Sequence, residues 1–481
     1  MQDHNEACSR GCNFPFATLH SWTRNTTYAL SARQCAAATT NWGVRPPQGI
    51  DLSNIVVIGG SISCNRNVGN RTPAADGDVS AFPKALDEPA AVHGWPRQLE
   101  RILNQCVGSK VSVVNLCRGS AGTDYWLSRL RLENTPRYSL QRANTHSTMR
   151  TSLVADSLQR ATVVLVESAI NDDDSVASEV LAEAMVRLLL DLPRRPFLLW
   201  AAGGFNLEWH TSAELRQLRV VREYGVGQIS VLNALRPSRA AATQAFIKDV
   251  YFQDGVHPTK LGHRLLASIV AAHILQQRRP DTDAMESALV LPSAPPDQLA
   301  GPFVMHRESL KRLRRSQLPP RFAIDLSDRA LCVRGGAASP QGGEFARSHG
   351  FSFLEDVPGK CGLIATKPGS RTSWLLPANV TSAVLGYLSS YAHNGRCQVK
   401  LMRGQPCGSL PSTTSSDSNQ TGAAIIVDTL ADDPKRRVSV YSEASVSATG
   451  PSTECSRLEV RVLKTSTRVE HKVKLLQVIA D

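Results

Sequence analysis

Four short segments of this 481-residue chain carry side chains whose types and spacing suit nucleophilic catalysis. Gly59-Gly60-Ser61-Ile62-Ser63 closes an apolar run, and small residues there let the chain turn sharply and present a serine hydroxyl. Taken alone, the segment is better explained as a glycine turn with a capping Ser. As a phosphate loop it fails, because no GxxxxGK[ST] pattern follows. Asn115-Leu-Cys-Arg-Gly119-Ser-Ala-Gly122-Thr123 can offer an unobstructed backbone N–H, as an oxyanion hole requires, or can serve as a flexible turn. Glu167-Ser-Ala-Ile-Asn171-Asp172 brings a carboxamide that could aim at the same point. Asp254-Gly-Val-His257-Pro258 sets an Asp three residues before a His. That Asp can accept the His Nδ1 proton and leave Nε2 to take a proton from a nucleophile, although a D-x-x-H also arises by chance.

Such groups act together only if the fold collects them, and the pattern between them predicts how. Apolar, β-branched runs at 54–58, 111–115, 162–167 and 197–200 alternate with helical periodicity over 97–106, 176–190, 213–223 and 260–276. Strands alternating with helices predict an α/β fold, a three-layer parallel sheet covered on both faces. In such sheets function gathers at the carboxyl ends of the strands, which is where the first three segments lie; the fourth immediately precedes the last helix.

In this order and placement the four segments resemble the blocks of the SGNH, or GDSL-type, hydrolase superfamily over residues 51–280. Asp-Gly-Val-His-Pro followed by Leu261-Gly262-His263 is the most specific part. The resemblance implies a flavodoxin-like hydrolase domain with Ser61 as nucleophile, His257 as general base and acid, and Asp254 orienting His257. It also implies oxyanion donors from the Ser61 N–H, the Gly122 N–H and the Asn171 side chain. Register in the second block is open between Gly119 and Gly122; Ala-Gly-Thr-Asp-Tyr favours Gly122. Two departures stand out: Gly60 replaces the usual acidic residue of Gly-Asp-Ser, and Ala169 replaces the usual glycine of Gly-x-Asn-Asp. The implied activity is hydrolysis of O-acyl esters, acetyl esters of carbohydrates among them, with no metal and no cofactor. An O-acyltransferase acting on a glycan would use the same residues, and a degenerate, glycan-binding hydrolase domain is the alternative that Gly60 and Ala169 motivate.

Other candidates take plainer readings. Asp172-Asp173-Asp174 reads as a solvated loop or cap rather than a metal site, and His263 as part of the last helix's first turn. Tyr125 and Trp126 could stack on a sugar ring, but core packing is the simpler expectation.

The rest of the chain has another texture. Residues 1–50 form a polar extension, and 281–321 a Pro-rich linker with a basic segment. Residues 322–481 show short alternating apolar segments at 350–354, 362–366, 383–387, 424–427, 438–441, 458–463 and 473–478. These predict a β-sandwich. The four blocks of the resemblance are complete before residue 260, which implies that this module contributes no catalytic residue. Its five cysteines cannot all pair with one another.

Composition sets outer limits. Charged residues make up 20% and hydrophobic residues 42%, which excludes a disordered, charge-rich chain. No apolar run approaches the ~20 residues that span a bilayer, so no transmembrane segment is expected. A net charge of +12 favours anionic partners, but no zinc-finger spacing, RNP-like strand or helix-turn-helix supports nucleic acid. The expected partner is an ester-bearing small molecule or an O-acylated polysaccharide. Eleven cysteines without a CxxC pair, and the sequons at Asn25, Asn70, Asn379 and Asn419, point to the secretory pathway or the cell exterior. Residues 1–6 lack the basic and apolar regions of a signal peptide.

Overall fold

The computed structural model describes residues 39–40, 50–64, 94–107, 109–133, 153–172, 175–202, 213–230, 257–278, 322–326, 345–357, 360–390, 395–405, 422–430, 440–448, 454–464 and 471–481. They fall into two compact units: Met1–Val79, Leu86–Thr123 and Val154–Leu313 in one, Ser80–Ala85, Asp124–Leu153 and Arg314–Asp481 in the other.

The first unit is built on β1 (Thr39–Thr40), β2 (Asn54–Gly59), β3 (Ser112–Asn115), β4 (Val163–Glu167), β5 (Phe197–Ala202) and β6 (Gly227–Ser230). They run in the order β1-β6-β5-β4-β2-β3, all neighbours parallel except β1, which pairs antiparallel with β6. The inner strands show why: β4 is buried at every position and β2 at all but its first, as a parallel sheet covered on both faces demands. The α/β expectation holds. Helices α1 (Trp95–Val107), α3 (Leu153–Arg160), α4 (Val176–Leu190), α5 (Glu214–Glu223) and α6 (Lys260–Arg278) accompany the strands, whereas α2 (Thr123–Glu133) falls mostly in the other unit. Trp95, Leu99 and Leu103, spaced at i, i+4 and i+8, make the buried stripe of α1. Ser175 caps α4, its hydroxyl accepting from Ala177 N at 3.1 Å. His263 lies one turn into α6, fully buried, and its Nδ1 accepts from Trp95 N at 3.4 Å. Burial holds His273, on the same helix, to a pKa of about 4, hence neutral.

Two elements of this unit carry too weak a pattern to be read from sequence. β6, Gly-Gln-Ile-Ser, has a single strongly apolar residue, and α3 is only eight residues long. Strand order matters more for any chemistry at the edge of the sheet. β2 lies between β4 and β3, with Gly59 level with Glu167 and Val57 level with Asn115. The loops leaving these three strands therefore emerge side by side.

The described strands of the second unit form two antiparallel sheets. β7 (Phe322–Asp325), β9 (Ser352–Val357), β10 (Lys360–Ala365), β12 (Ser382–Ser389), β15 (Val440–Ser447) and β17 (Val473–Ala480) form one sheet, ordered β15-β12-β17-β10-β9 with β7 also on β17. β8 (Phe345–His349), β11 (Arg371–Leu376), β13 (Arg396–Gln405), β14 (Gly422–Asp428) and β16 (Cys455–Leu463) form the other, ordered β14-β13-β16-β11-β8. Side chains from both, among them Trp374, Leu401, Leu458, Leu475 and Val478, make a single buried cluster, the core of a sandwich. β7, β8, β11 and β13 have no counterpart among the segments expected from sequence. In β13 the apolar Cys397, Val399 and Leu401 alternate with Arg396, Gln398 and Lys400, so charge hides the strand from an apolar scan. Lys474 is buried beside Asp356, which also pairs with Lys472. The two lysines hold the Asp356 carboxyl below its usual range despite burial.

Helix α2 (Thr123–Glu133) divides between the units: Thr123 belongs to the first, and Asp124 onward to the second. Tyr125 and Trp126 are 6% and 3% exposed, so they pack rather than offer a sugar platform. The Tyr125 ring meets Tyr441 edge-on at 5.4 Å, and Ser128 hydrogen-bonds Glu443. The sandwich unit thus takes in a helix that sequence order assigns to the earlier half of the chain. Among the described residues no helix is long and apolar enough to cross a membrane.

Candidate active site

Ser61 stands in the turn that follows β2. Its hydroxyl lies 2.8 Å from His257 Nε2, and His257 comes from the segment just before α6. Two residues 196 positions apart are thereby in direct hydrogen-bond contact. Ser61 is 4% exposed and His257 partly exposed, so the pair is sheltered but reachable. Asp254 lies outside the described residues.

The glycines before Ser61 answer to close approach. A Cβ on Gly59 would sit 2.1 Å from Ser63 Oγ and 3.2 Å from Glu167 Oε2. A Cβ on Gly60 would sit 2.1 Å from Asn171 Oδ1 and 3.1 Å from the Ala121 carbonyl. Gly122 in turn approaches Asp172 Oδ1 and the Asn171 carbonyl, with 2.2 and 3.2 Å left to a Cβ. The Gly60, Ala121–Gly122 and Asn171–Asp172 segments therefore pack directly on one another. The departure at Gly60 has a steric cause, since the Asn171 carboxamide occupies the space a side chain at 60 would need.

Among the described residues the N–H groups of Ser61 and Gly122 have no acceptor. Asn171 Oδ1 is buried without a hydrogen-bond partner among them. A buried amide oxygen left unpaired costs about 1–3 kcal/mol, so packing alone gives no reason for an Asn here. Arg118 N donates to the Gly59 carbonyl at 2.9 Å, and Asn115 Nδ2 to the Ser63 carbonyl at 2.7 Å, tying the β3 loop to the serine turn.

Cys64 and Cys117 add a disulfide between those same two loops. Cys106, Cys361 and Cys455 are also disulfide-bonded. Cys397 is free and buried, its thiol pushed up to about 12 by burial and by the Asp428 charge, and so inert. The Cys64–Cys117 bridge spans 53 residues. On loop-closure entropy alone its loss should cost about 4 kcal/mol. Cys64→Ser/Cys117→Ser is expected to unfold at clearly lower urea than the native protein, measured without reductant. Equal midpoints would show that the bridge adds nothing to stability.

Two buried carboxyls are not legible in the sequence. Asp172, expected in a solvated loop or cap, is 5% exposed and fully engaged. Its Oδ1 accepts from Thr123 N at 2.7 Å, and its Oδ2 accepts from Thr123 Oγ1 at 2.6 Å and from Gln217 Nε2. Gln217 also accepts from Trp200 Nε1 at 2.9 Å. Protein donors replace water around Asp172; Asp173 and Asp174 lie outside the described residues. Burial raises its pKa, opposed by the hydrogen bonds from Thr123, Gln217 and Ser168. Glu167, at the end of β4, is 1% exposed, and burial pushes its carboxyl from 4.5 up to about 8 against the Ser63 and Gly60 hydrogen bonds. The folded state thus holds this proton more tightly than the unfolded chain. Its contribution to stability is full below about pH 4.5 and drains away as pH rises to about 8. The one sequence signal was a charged residue ending an otherwise apolar strand. Among the described residues no cluster of His, Cys, Asp and Glu could hold a metal ion.

No protein-family model matches the chain, and no curated protein matches it. Solved structures do. A two-domain esterase (CEX) active on acetylated mannans, co-crystallised with mannopentaose, matches with a TM-score of 0.48 at 15% identity, over 89% of this chain and 90% of that one. The lipase Lip_vut3 from a goat rumen metagenome matches with a TM-score of 0.26 at 13% identity, over 46% of this chain and 96% of its own. The C-terminal CBM6 of LamC, a laminarinase from Zobellia galactanivorans, matches with a TM-score of 0.19 at 10% identity, over 33% of this chain and 100% of its own.

Proposed function

We propose that the chain is a serine esterase of the SGNH hydrolase type that removes O-acyl groups, acetyl above all, from carbohydrate. The observation that carries this reading is the 2.8 Å contact between Ser61 Oγ and His257 Nε2 at the carboxyl edge of the parallel sheet. Nucleophile and base within hydrogen-bond reach, beside N–H donors that have no acceptor among the described residues, is the arrangement acyl transfer needs.

In this mechanism His257 Nε2 takes the proton from Ser61 Oγ as the oxygen attacks the ester carbonyl. Negative charge on the carbonyl oxygen is met by the Ser61 and Gly122 N–H groups and the Asn171 side-chain amide. Collapse breaks the bond to the sugar oxygen, which leaves with the proton from His257. Water then gives its proton to His257, attacks the acyl-enzyme, and releases the acid and Ser61. Asp254 is assigned the His257 Nδ1 proton on the Asp-Gly-Val-His spacing. The carbohydrate part follows from the family resemblance rather than from a residue. We assign residues 51–280 to catalysis and 322–481 to a non-catalytic module, with the disulfides supporting an oxidising, secretory setting.

The test is acetate release from an acetylated polysaccharide and from an aryl acetate, with a fluorophosphonate probe mapped to its site of attachment. Labelling of Ser61 together with acetate release is expected; a probe that fails to label Ser61 defeats the reading. Restoring the usual acidic residue offers a sharper check. Gly60→Asp should lower kcat at least about tenfold, because its side chain must displace the Asn171 amide. A Gly60→Asp enzyme faster than the parent would show that Asn171 does not sit where turnover needs it.

A further inference from the structure

We propose that Glu167 is a positioning residue for the nucleophile, a carboxyl beneath the serine turn that holds Gly60 and Ser63 so that Ser61 between them faces His257. This rests on the serine-esterase reading above.

The geometry singles out Glu167 because its contacts bracket Ser61 on both sides. One oxygen, Oε2, receives Gly60 N at 3.3 Å, Ser63 N at 3.2 Å and Ser63 Oγ at 3.0 Å. The Glu167 carbonyl receives Gly60 N as well, at 2.9 Å, so backbone and side chain grip the same amide. The turn is closed above by Cys64 N donating to the Gly60 carbonyl at 3.2 Å. Room for the contact comes from Gly59, whose absent Cβ would overlap Ser63 Oγ. A residue that merely filled this space would be apolar, like the four before it in β4. Instead a carboxyl sits in full burial, with Oε1 lacking a partner among the described residues. Fold stability gains little from such a group. What it supplies is a rigid acceptor for the two residues flanking the nucleophile, and about an ångström of misplacement there can cost a hundredfold in rate.

Its protonation ties the turn to pH. Burial leaves Glu167 neutral near pH 7 and charged above about 8. The charged form places negative charge beside N–H groups that must meet a developing oxyanion. Among the described residues, Asp172, whose charge acts on Glu167, and His257, on Ser61 Oγ, are the other titratable groups at this turn, and both stay the same in the variants.

Three variants test this on an aryl acetate, alongside the rate of fluorophosphonate labelling at Ser61. Glu167→Leu is expected to lower kcat and the labelling rate at least about tenfold, with KM within about twofold. Glu167→Gln keeps an acceptor for the same three donors and should recover most of the loss. The parent's kcat is expected to fall as pH rises through about 8, and Glu167→Gln should lack that fall. Ser63→Ala leaves the buried carboxyl in place and should lower kcat about threefold, which covers the case of a misfolded Glu167→Leu. Parent-like kcat in Glu167→Leu, or in Ser63→Ala should Glu167→Leu not fold, overturns the proposal; so does a Gln variant as poor as Leu, or one that keeps the alkaline fall. A parent that is not labelled at Ser61 overturns the esterase reading itself, whereas a labelled parent with unaffected variants overturns the role of Glu167 alone.

Discussion

On the proposed mechanism, Ser61→Ala is expected to reduce ester hydrolysis by at least ~10⁴-fold while leaving the fold intact, because it removes the proposed attacking oxygen. Among the described residues the hydroxyl has one hydrogen-bond partner, His257, so its deletion empties only a small volume and leaves one imidazole nitrogen to find water. His257→Ala should cost a similar factor, since serine and base act as one unit, and the double variant should be little worse than either single one. The measurement is kcat/KM on an aryl acetate, with circular dichroism to confirm folding. Substantial hydrolysis by folded Ser61→Ala, or fully additive losses in the double variant, would place the chemistry elsewhere.

The second large effect belongs to Asn171. Removing one donor from an oxyanion hole typically costs ~10²–10³ in kcat, so Asn171→Ala is expected to lose that much with little change in KM. Stability should move the other way. Asn171 Oδ1 is buried and unpaired among the described residues, so deleting the amide relieves a polar group that the fold does not satisfy. The variant should melt no lower than the parent, and slightly higher if the neighbouring Gly60 and Ala121 settle into the space. A residue held against the interest of folding and needed for rate is the pattern expected of a catalytic donor. Unchanged turnover, or a loss of rate explained by a lower melting temperature, would remove Asn171 from the mechanism.

By itself the sequence determined the α/β class and the later β-sandwich, and it put forward Ser61, Gly122, Asn171 and His257 as the positions now proposed for the site. Each of these is written in a local signal. A buried parallel strand is a short run of β-branched residues, and the small or polar residues that end it must lie where its loop begins. Weakly patterned elements escaped for the same reason, β6 with one apolar residue and β13 with charges on alternate positions. Only the tertiary structure decided which loops meet. The β4-β2-β3 order sets the serine turn between Glu167 and the β3 loop, and no count along the chain reveals that neighbourhood. It decided too that Asp172 turns inward to Thr123 and Gln217, that Cys64 takes Cys117 among many possible partners, and that Tyr125 and Ser128 join Tyr441 and Glu443. Gly60 shows the difference within one residue. In sequence it is a departure from a pattern, and in space it is the vacancy that Asn171 fills, because van der Waals exclusion acts between atoms that are close whatever their separation along the chain.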